Sequence, residues 1–121
     1  MPDTRPVNTL ALTPTDKATR ITADDRDPQA GNMSHDYTIA FGDKQVELHF
    51  QHGPIAEAGV NGITNEGLLS IVRDRLEGAQ TGDFRCRENA LAITAIEEAS
   101  LWLAKRTLDR MARGVEGQNK V

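Results

Sequence analysis

Aromatic residues and cysteines are scarce in this chain, and long apolar runs are absent. Aromatics make up 4% of the 121 residues, and there is a single cysteine. A chain with so few large apolar side chains has a thin core, which favours oligomerisation. No apolar run approaches the roughly 20 residues that a membrane-spanning helix needs, so we expect no membrane association. Cys86 has no partner for an internal disulfide, which is typical of a reducing cytoplasm.

The charge is also unlike that of a nucleic-acid-coating protein. The net charge is -4, and residues 1–60 carry this imbalance while residues 61–121 are neutral. Proteins that coat duplex DNA depend on an excess of Lys and Arg, so we expect no DNA binding. The first ten residues, MPDTRPVNTL, lack the basic-then-apolar pattern of a secretion signal, so we expect none.

The N-terminal half has the patterns of strands and turns. Residues 1–34 contain few apolar side chains, and both short outer strands and disorder are compatible with that composition. Residues 37–51 alternate between apolar and polar side chains around Gly42-Asp43, which predicts a β-hairpin. Residues 52–66 are rich in glycine and are predicted to form a loop without a regular element.

The C-terminal half has helical periodicity. Apolar residues repeat every three or four positions over residues 65–79, with Thr64 as the predicted N-cap, and again over residues 85–113. The predicted fold is therefore α+β, with a small antiparallel sheet followed by two C-terminal helices, the second of them long. We expect one domain over residues 35–121, preceded by an N-terminal segment, residues 1–34, whose structure the sequence does not determine.

The second helix carries a seam with an apolar middle and polar ends. Its positions are Asn89, Ala92, Ile96, Ala99, Leu103, Arg106, Arg110 and Arg113. One interpretation is that the seam packs within the chain while its arginines enter solvent. The other is that two antiparallel copies cross near Ala99, so that Asn89 of one copy approaches Arg106 and Arg110 of the other. Guanidinium groups gathered in this way suit phosphate oxygens.

Metal binding is not predicted from the sequence. His49 and His52 are three residues apart at the end of a predicted strand, without a cysteine or carboxylate at the spacing of a metal site. Asp24, Asp25 and Asp27 form an acidic cluster of the kind that is usually solvated.

A catalytic constellation is not predicted either. Cys86 lies near a predicted helix start, but the sequence places no histidine beside it to activate the thiol. Glu97 and Glu98 are adjacent on a helix, so their side chains diverge by about 100°. No phosphate-binding loop or hydrolase motif is present, and no cofactor is expected.

Residues 50–117 resemble a family of small phage proteins, the anti-Thoeris signal sponges, which are related to anti-CBASS cyclic-nucleotide sponges. The resemblance lies in four ordered blocks. These are Gly59–Gly62 (GVNG), Arg87–Ala90 (RENA), Arg106–Arg110 (RTLDR) and Arg113–Gly117 (RGVEG).

The resemblance implies a non-enzymatic protein that acts in the cytoplasm of an infected bacterium. Such a protein holds a cyclic ADP-ribose isomer without cleaving it, so that the Thoeris effector stays silent. Some family members also bind cyclic di- or trinucleotides. The implied assembly is a homo-oligomer, at least a dimer, with hexamers in many members.

The resemblance also implies ligand-binding residues. The pocket of the family lies between protomers and uses an asparagine that matches Asn89 and two arginines that match Arg106 and Arg110. An aromatic residue that stacks on the base is common where this sequence has Ala79, and Phe84 is a candidate substitute for it. Two alternatives stay open, a nucleotide-cleaving enzyme and an accessory that binds nucleic acid or a host protein.

Overall fold

The fold is described by a computed structural model that covers residues 4–114. The end of the family-like region, residues 115–117, lies outside the described residues. The backbone divides into two compact units, one that ends at Ile63 and one that begins at Thr64. The predicted α+β class is confirmed, because strands dominate the first unit and two helices form the second.

The first unit is built on a four-stranded antiparallel sheet in which neighbouring strands follow chain order. The strands are β1 (Thr4–Pro6), β2 (Thr19–Asp24), β3 (Asp36–Phe41) and β4 (Lys44–His49). The first two strands come from the segment whose structure the sequence left open. Each connection joins adjacent strands, so the sheet is a simple meander.

Strands β3 and β4 form the hairpin expected from their alternation. Phe41 pairs with Lys44 next to the turn, and Tyr37 pairs with Leu48 near the other end. Gly42 has a φ of 59°, the left-handed conformation that two-residue hairpin turns require. The turn residues therefore fix the register, and with it the face on which each side chain lies.

Three short helical segments complete the first unit. They are α1 (Pro14–Ala18), a 3-10 turn (Pro28–Ala30) and α2 (Ile55–Ala58). The prediction that residues 52–66 contain no regular element was wrong, because α2 lies within them. Glycine ends this helix after one turn, since Gly59 has a φ of 71°, instead of preventing it from forming.

The segment after β4 folds back along the sheet. Phe50 donates its N–H to the carbonyl of His35, and the backbones of Gln51 and Ile63 are joined by a hydrogen bond of 3.0 Å. Gly62 lies so close to this segment that an added Cβ would stand 2.4 Å from the carbonyl carbon of Phe50. Only glycine fits at this approach.

The interior of the first unit is small, as the composition predicts. Ala23 is the one buried apolar residue among the described residues. The buried polar residues of this unit are Ser34 and His35. Tyr37 and Phe50 contact each other edge to face, with ring centroids 5.4 Å apart. Such aromatic pairs add modestly to the stability that burial supplies.

The second unit is a pair of helices that pack against each other. They are α3 (Asn65–Gln80) and α4 (Arg87–Ala112). Thr64 caps α3 by accepting the N–H of Gly67 at 3.1 Å, which satisfies a backbone donor at the helix start. No helix within residues 4–114 is long and apolar enough to cross a membrane.

Candidate functional site

Helix α4 presents two kinds of surface along its length. Half-buried side chains recur at helical spacing and include four members of the predicted seam, Ala92, Ile96, Ala99 and Leu103. Because α3 packs against α4, this periodic burial favours packing within the chain for the middle of the seam. The C-terminal end of the seam lies beyond this apolar part and carries the cationic side chains of Arg106, Arg110 and Arg113.

A shallow groove of about 640 Å³ lies at the C-terminal end of α4. Its lining residues are Trp102, Lys105, Arg106, Asp109, Arg110 and Arg113. Four of these side chains are cationic and one is a carboxylate, so the described lining residues carry an excess of positive charge. Lys105 Nζ lies 2.7 Å from Asp109 Oδ2, so these two side chains form an ion pair within the lining.

Arg106 and Arg110 differ in exposure although they are one helical turn apart. Arg110 is buried, with 6% of its surface exposed, whereas Arg106 is exposed. Residues four apart lie on the same side of a helix, so both guanidinium groups reach the same groove. A buried guanidinium loses less conformational freedom than an exposed one when it binds an anion.

The other predicted ligand residues lie at the opposite end of α4, around its turn with α3. The side-chain amide of Asn89 donates to the carbonyl of Phe84 at 3.1 Å. Phe84 itself is 81% exposed, and Ala79 is half-buried in the last turn of α3. Gln80 braces this turn through two hydrogen bonds of 3.0 Å to the backbone of Cys86.

The structure therefore gathers the predicted site residues into two groups. Asn89, Phe84 and Ala79 form the first group, and Arg106 and Arg110 form the second. Arg106 follows Asn89 by 17 positions on the same helix, which corresponds to about 25 Å along the axis. One chain cannot place both groups around one small molecule, so a shared pocket needs a second copy.

Trp102 is one of the groove residues that the sequence did not single out, together with Lys105 and Asp109. It lies one turn before Arg106 and is 64% exposed. The available signal was its spacing of four from Arg106, but an aromatic residue at a helical position is more often part of a core. An exposed indole beside guanidinium groups gives the groove an apolar flat surface as well as charge.

A second polar cluster lies in the first unit and shares no residue with the described lining of the groove. Asp27 Oδ2 stands 3.1 Å from His35 Nε2 and 3.4 Å from His52 Nε2. The Gln29 backbone N–H and the contact with His35 lower the pKa of Asp27, because both stabilise the carboxylate. Sequence reasoning missed this cluster because its members come from three separate segments.

Comparison with known proteins identifies the family. The model of the family described as Acb2/Tad1, hairpin domain, matches residues 43–108, more than half of the chain. The protein belongs to this family, which confirms the family predicted from the sequence.

One relative is Thoeris anti-defense 1 of Bacillus phage SBSphiJ7. It is 46% identical over 92 residues, which cover 76% of this chain. The chain spans 65% of the length of that relative.

Proposed function

We propose that this protein is a phage anti-Thoeris protein that binds and sequesters a cyclic ADP-ribose-type signal without cleaving it. The observation that carries the proposal is the arginine-lined groove on α4 in a chain of the Acb2/Tad1 hairpin-domain family. The name of the relative, Thoeris anti-defense 1, supports the same assignment. Cyclic di- and trinucleotides are further candidate ligands, because they share the phosphate chemistry.

The chemistry of the groove suits a phosphate-bearing nucleotide. Guanidinium groups donate paired, charge-assisted hydrogen bonds to phosphate oxygens, each worth about 1.5–3 kcal/mol. Arg106 and Arg110 supply two such groups on one side of α4. The exposed indole of Trp102 offers an apolar flat surface for a base or ribose next to them.

The complete pocket forms between two copies of the chain. In an antiparallel pair of α4 helices, the turn end of one copy meets the arginine end of the other. Asn89 then contributes an amide that both donates and accepts hydrogen bonds, which suits the edge of a base. The roughly 25 Å between the two groups in one chain is the reason that the partner is required.

Exposed apolar residues on α4 support this assembly. The large apolar side chains that are exposed on this helix are Leu91, Leu101, Trp102, Leu108 and Met111. A helix with several such residues usually meets a partner, because burying them removes apolar surface from water. A dimer is the smallest assembly that completes the pocket, and a hexamer would contain three such dimers.

The first test compares two arginine variants by calorimetry with a cyclic ADP-ribose isomer. We expect Arg106→Ala to weaken binding at least tenfold, because it removes a charge-assisted contact. Arg75→Ala is the matched control, since Arg75 is exposed on α3 and is not among the groove residues. Equal binding by both variants would contradict the proposed pocket.

The second test asks whether the pocket is shared between copies. Asn89→Ala and Arg106→Ala are each expected to bind poorly as homodimers. After subunit exchange in an equal mixture, half of the dimers are mixed and each has one intact pocket, so about one quarter of the sites recover. Circular dichroism confirms that both variants are folded. No recovery in mixtures whose exchange is verified by mass spectrometry would contradict a shared pocket.

A third test separates sequestration from cleavage. The ligand is incubated with the protein, the protein is denatured by heat, and the released nucleotide is analysed by mass spectrometry. Recovery of the intact ligand is expected of a binding protein, whereas its loss would show the alternative, an enzyme. A strong gel shift that weakens steeply with salt would instead favour the nucleic-acid-binding accessory.

A further inference from the structure

Three side chains with metal-ligating atoms converge in the first unit. Asp27 follows β2, His35 precedes β3, and His52 follows β4. Their ligand atoms all lie within 4.8 Å of one another. A two-histidine, one-carboxylate set is typical of zinc and related divalent transition metals.

The distances around Asp27 match those of a tetrahedral site. Bonds of 2.0–2.1 Å to zinc place neighbouring ligand atoms about 3.3 Å apart. Asp27 Oδ2 lies 3.1 Å from His35 Nε2 and 3.4 Å from His52 Nε2. Two of the three edges of the ligand triangle therefore already have the required length.

The backbone around His35 is held by polar contacts that do not use its ring. Asp24 Oδ1 accepts the N–H of His35 at 2.9 Å and that of Asp36 at 3.2 Å. The Ser34 hydroxyl donates to the carbonyl of Asp24 at 2.8 Å. His35 is 5% exposed, so its imidazole is fixed by burial as well as by these bonds.

The backbones of the other two residues are held in a similar way. The side-chain amide of Asn61 accepts the N–H of His52 at 2.8 Å and donates to its carbonyl at 2.7 Å. Asp27 Oδ1 accepts the N–H of Gln29 at 3.0 Å, which leaves Oδ2 facing both histidines. Such supporting contacts are what a metal site requires of the residues around its ligands.

One adjustment completes the geometry. The rings of His35 and His52 are stacked, with centroids 3.8 Å apart and planes 10° from parallel. Imidazole binds a metal through a lone pair in the plane of its ring, so one ring must turn. The side chain of His52 is 60% exposed and has room to turn, while the buried His35 keeps its position.

We propose that Asp27, His35 and His52 bind one divalent transition-metal ion, with zinc as the best match and solvent at the fourth position. Removing either of the two accessible ligands weakens binding. None of the residues of the site is among the described lining residues of the groove, and the site does not depend on the proposed function. It holds together the ends of β2, β3 and β4 in a unit with a small apolar core.

Isothermal titration of tag-free protein with zinc chloride tests the proposal. The chain has three histidines and one cysteine, so every candidate soft ligand can be controlled. All proteins in the comparison, including the parent, carry Cys86→Ser, which removes the exposed thiol and keeps a helix-capping residue. The parent protein is expected to bind one zinc ion per chain and to lose it to EDTA.

Two ligand variants and one histidine control define the site. Asp27→Asn keeps an oxygen for the Gln29 N–H but loses the charge, and His52→Gln changes an exposed ring. Both are expected to bind zinc at least tenfold more weakly than the parent. His49→Gln is the matched control, because His49 faces Asp36 and Glu47 instead of the cluster, and its affinity is expected to stay within twofold of that of the parent.

Thermal unfolding supplies an independent readout. An ion that binds only the folded chain stabilises it by mass action, so saturating zinc should raise the Tm of the parent and of His49→Gln by several degrees. The two ligand variants should show no such rise, and their circular dichroism without zinc should match that of the parent. Absence of stoichiometric binding in the parent would overturn the proposal. Equal affinity in the parent and His52→Gln, or loss of binding in His49→Gln, would also overturn it.

Discussion

At the scale of single residues, a hydrogen bond between His49 and Asp36 changes the pKa of the histidine. Its Nδ1 lies 2.8 Å from Asp36 Oδ1 across the β3–β4 pair, and Glu47 lies 3.9 Å from its other ring nitrogen. The hydrogen bond to Asp36 raises the pKa of His49 above its ordinary value, because the carboxylate favours the protonated ring.

We expect NMR titration to give a pKa for His49 above the ordinary value of about 6.5, and Asp36→Asn to bring it back towards that value. Because the folded state holds the proton more tightly, the contact stabilises the fold below the unfolded pKa. That stabilisation is lost as pH rises through the folded pKa. Identical His49 titration curves in the parent and Asp36→Asn would contradict this account.

Ala79 is the position where this chain departs from the aromatic residue that the family resemblance implies. If the turn end of α4 meets the base of the ligand, an aromatic side chain at this position stacks on it. Stacking is worth about 1–3 kcal/mol. Phe84, 81% exposed in the same turn, is the aromatic residue available in its place.

We expect Ala79→Phe to tighten nucleotide binding by about tenfold or more, measured by calorimetry. Ala79→Leu adds apolar bulk without an aromatic face and is the matched control, for which we expect no comparable gain. A similar gain in both variants would attribute the effect to burial instead of stacking.

At the scale of elements, the loop that follows β4 is constrained by a close approach of two backbone segments. Its path is fixed by the close approach of Gly62 to the backbone of residues 49–51. By contrast, Gly78 lies within α3, and an added Cβ there would meet nothing within 4 Å. We therefore expect alanine to change the free energy of unfolding in opposite directions at these two glycines.

We expect Gly62→Ala to lower the free energy of unfolding by about 1–3 kcal/mol or more, because backbone atoms must move to admit the methyl group. Gly78→Ala should raise it by about 0.5–1 kcal/mol, because alanine is the better helix former. Urea denaturation measures both. Equal stability of the two variants would show that the loop adapts without strain.

The sequence predicted those elements whose pattern is local. Periodicity defined α3 and α4, and the Gly42 turn defined the hairpin, because each depends on neighbours in the chain. The short strands β1 and β2 were left open because they contain little apolar surface. The cluster of Asp27, His35 and His52 was not predictable, since it depends on strand register and on the loop that Asn61 holds.

The candidate groove was predicted in part for the same reason. Arg106 and Arg110 share a side of α4 because of helical spacing alone, and the structure places both in the groove. The burial of Arg110 and the participation of Trp102 depend on how the helix is covered. Those two features could not be derived from residue spacing.

At the scale of the whole molecule, the proposed assembly depends on the exposed apolar residues of α4. Leu101 and Leu108 are seven residues apart and share one side of the helix. They are 71% and 62% exposed. A single chain leaves this surface in water, which is the physical reason to expect a stable oligomer.

We expect light scattering to show at least a dimer for the parent protein, and Leu101→Glu to shift it towards the monomer. Leu10→Glu is the matched control, since Leu10 is also highly exposed but lies in the first unit. The monomeric variant should also lose nucleotide binding. A monomeric parent that still binds the nucleotide would contradict the shared pocket.

The separation of the two residue groups along α4 has a consequence for stoichiometry. On the proposed arrangement each chain owns two incomplete half-sites, and a symmetric pair turns four halves into two pockets. Ligand binding and subunit association are then thermodynamically linked, so the bound nucleotide stabilises the dimer. Dilution should release it, and saturation should hold dimers together at concentrations where the empty protein dissociates.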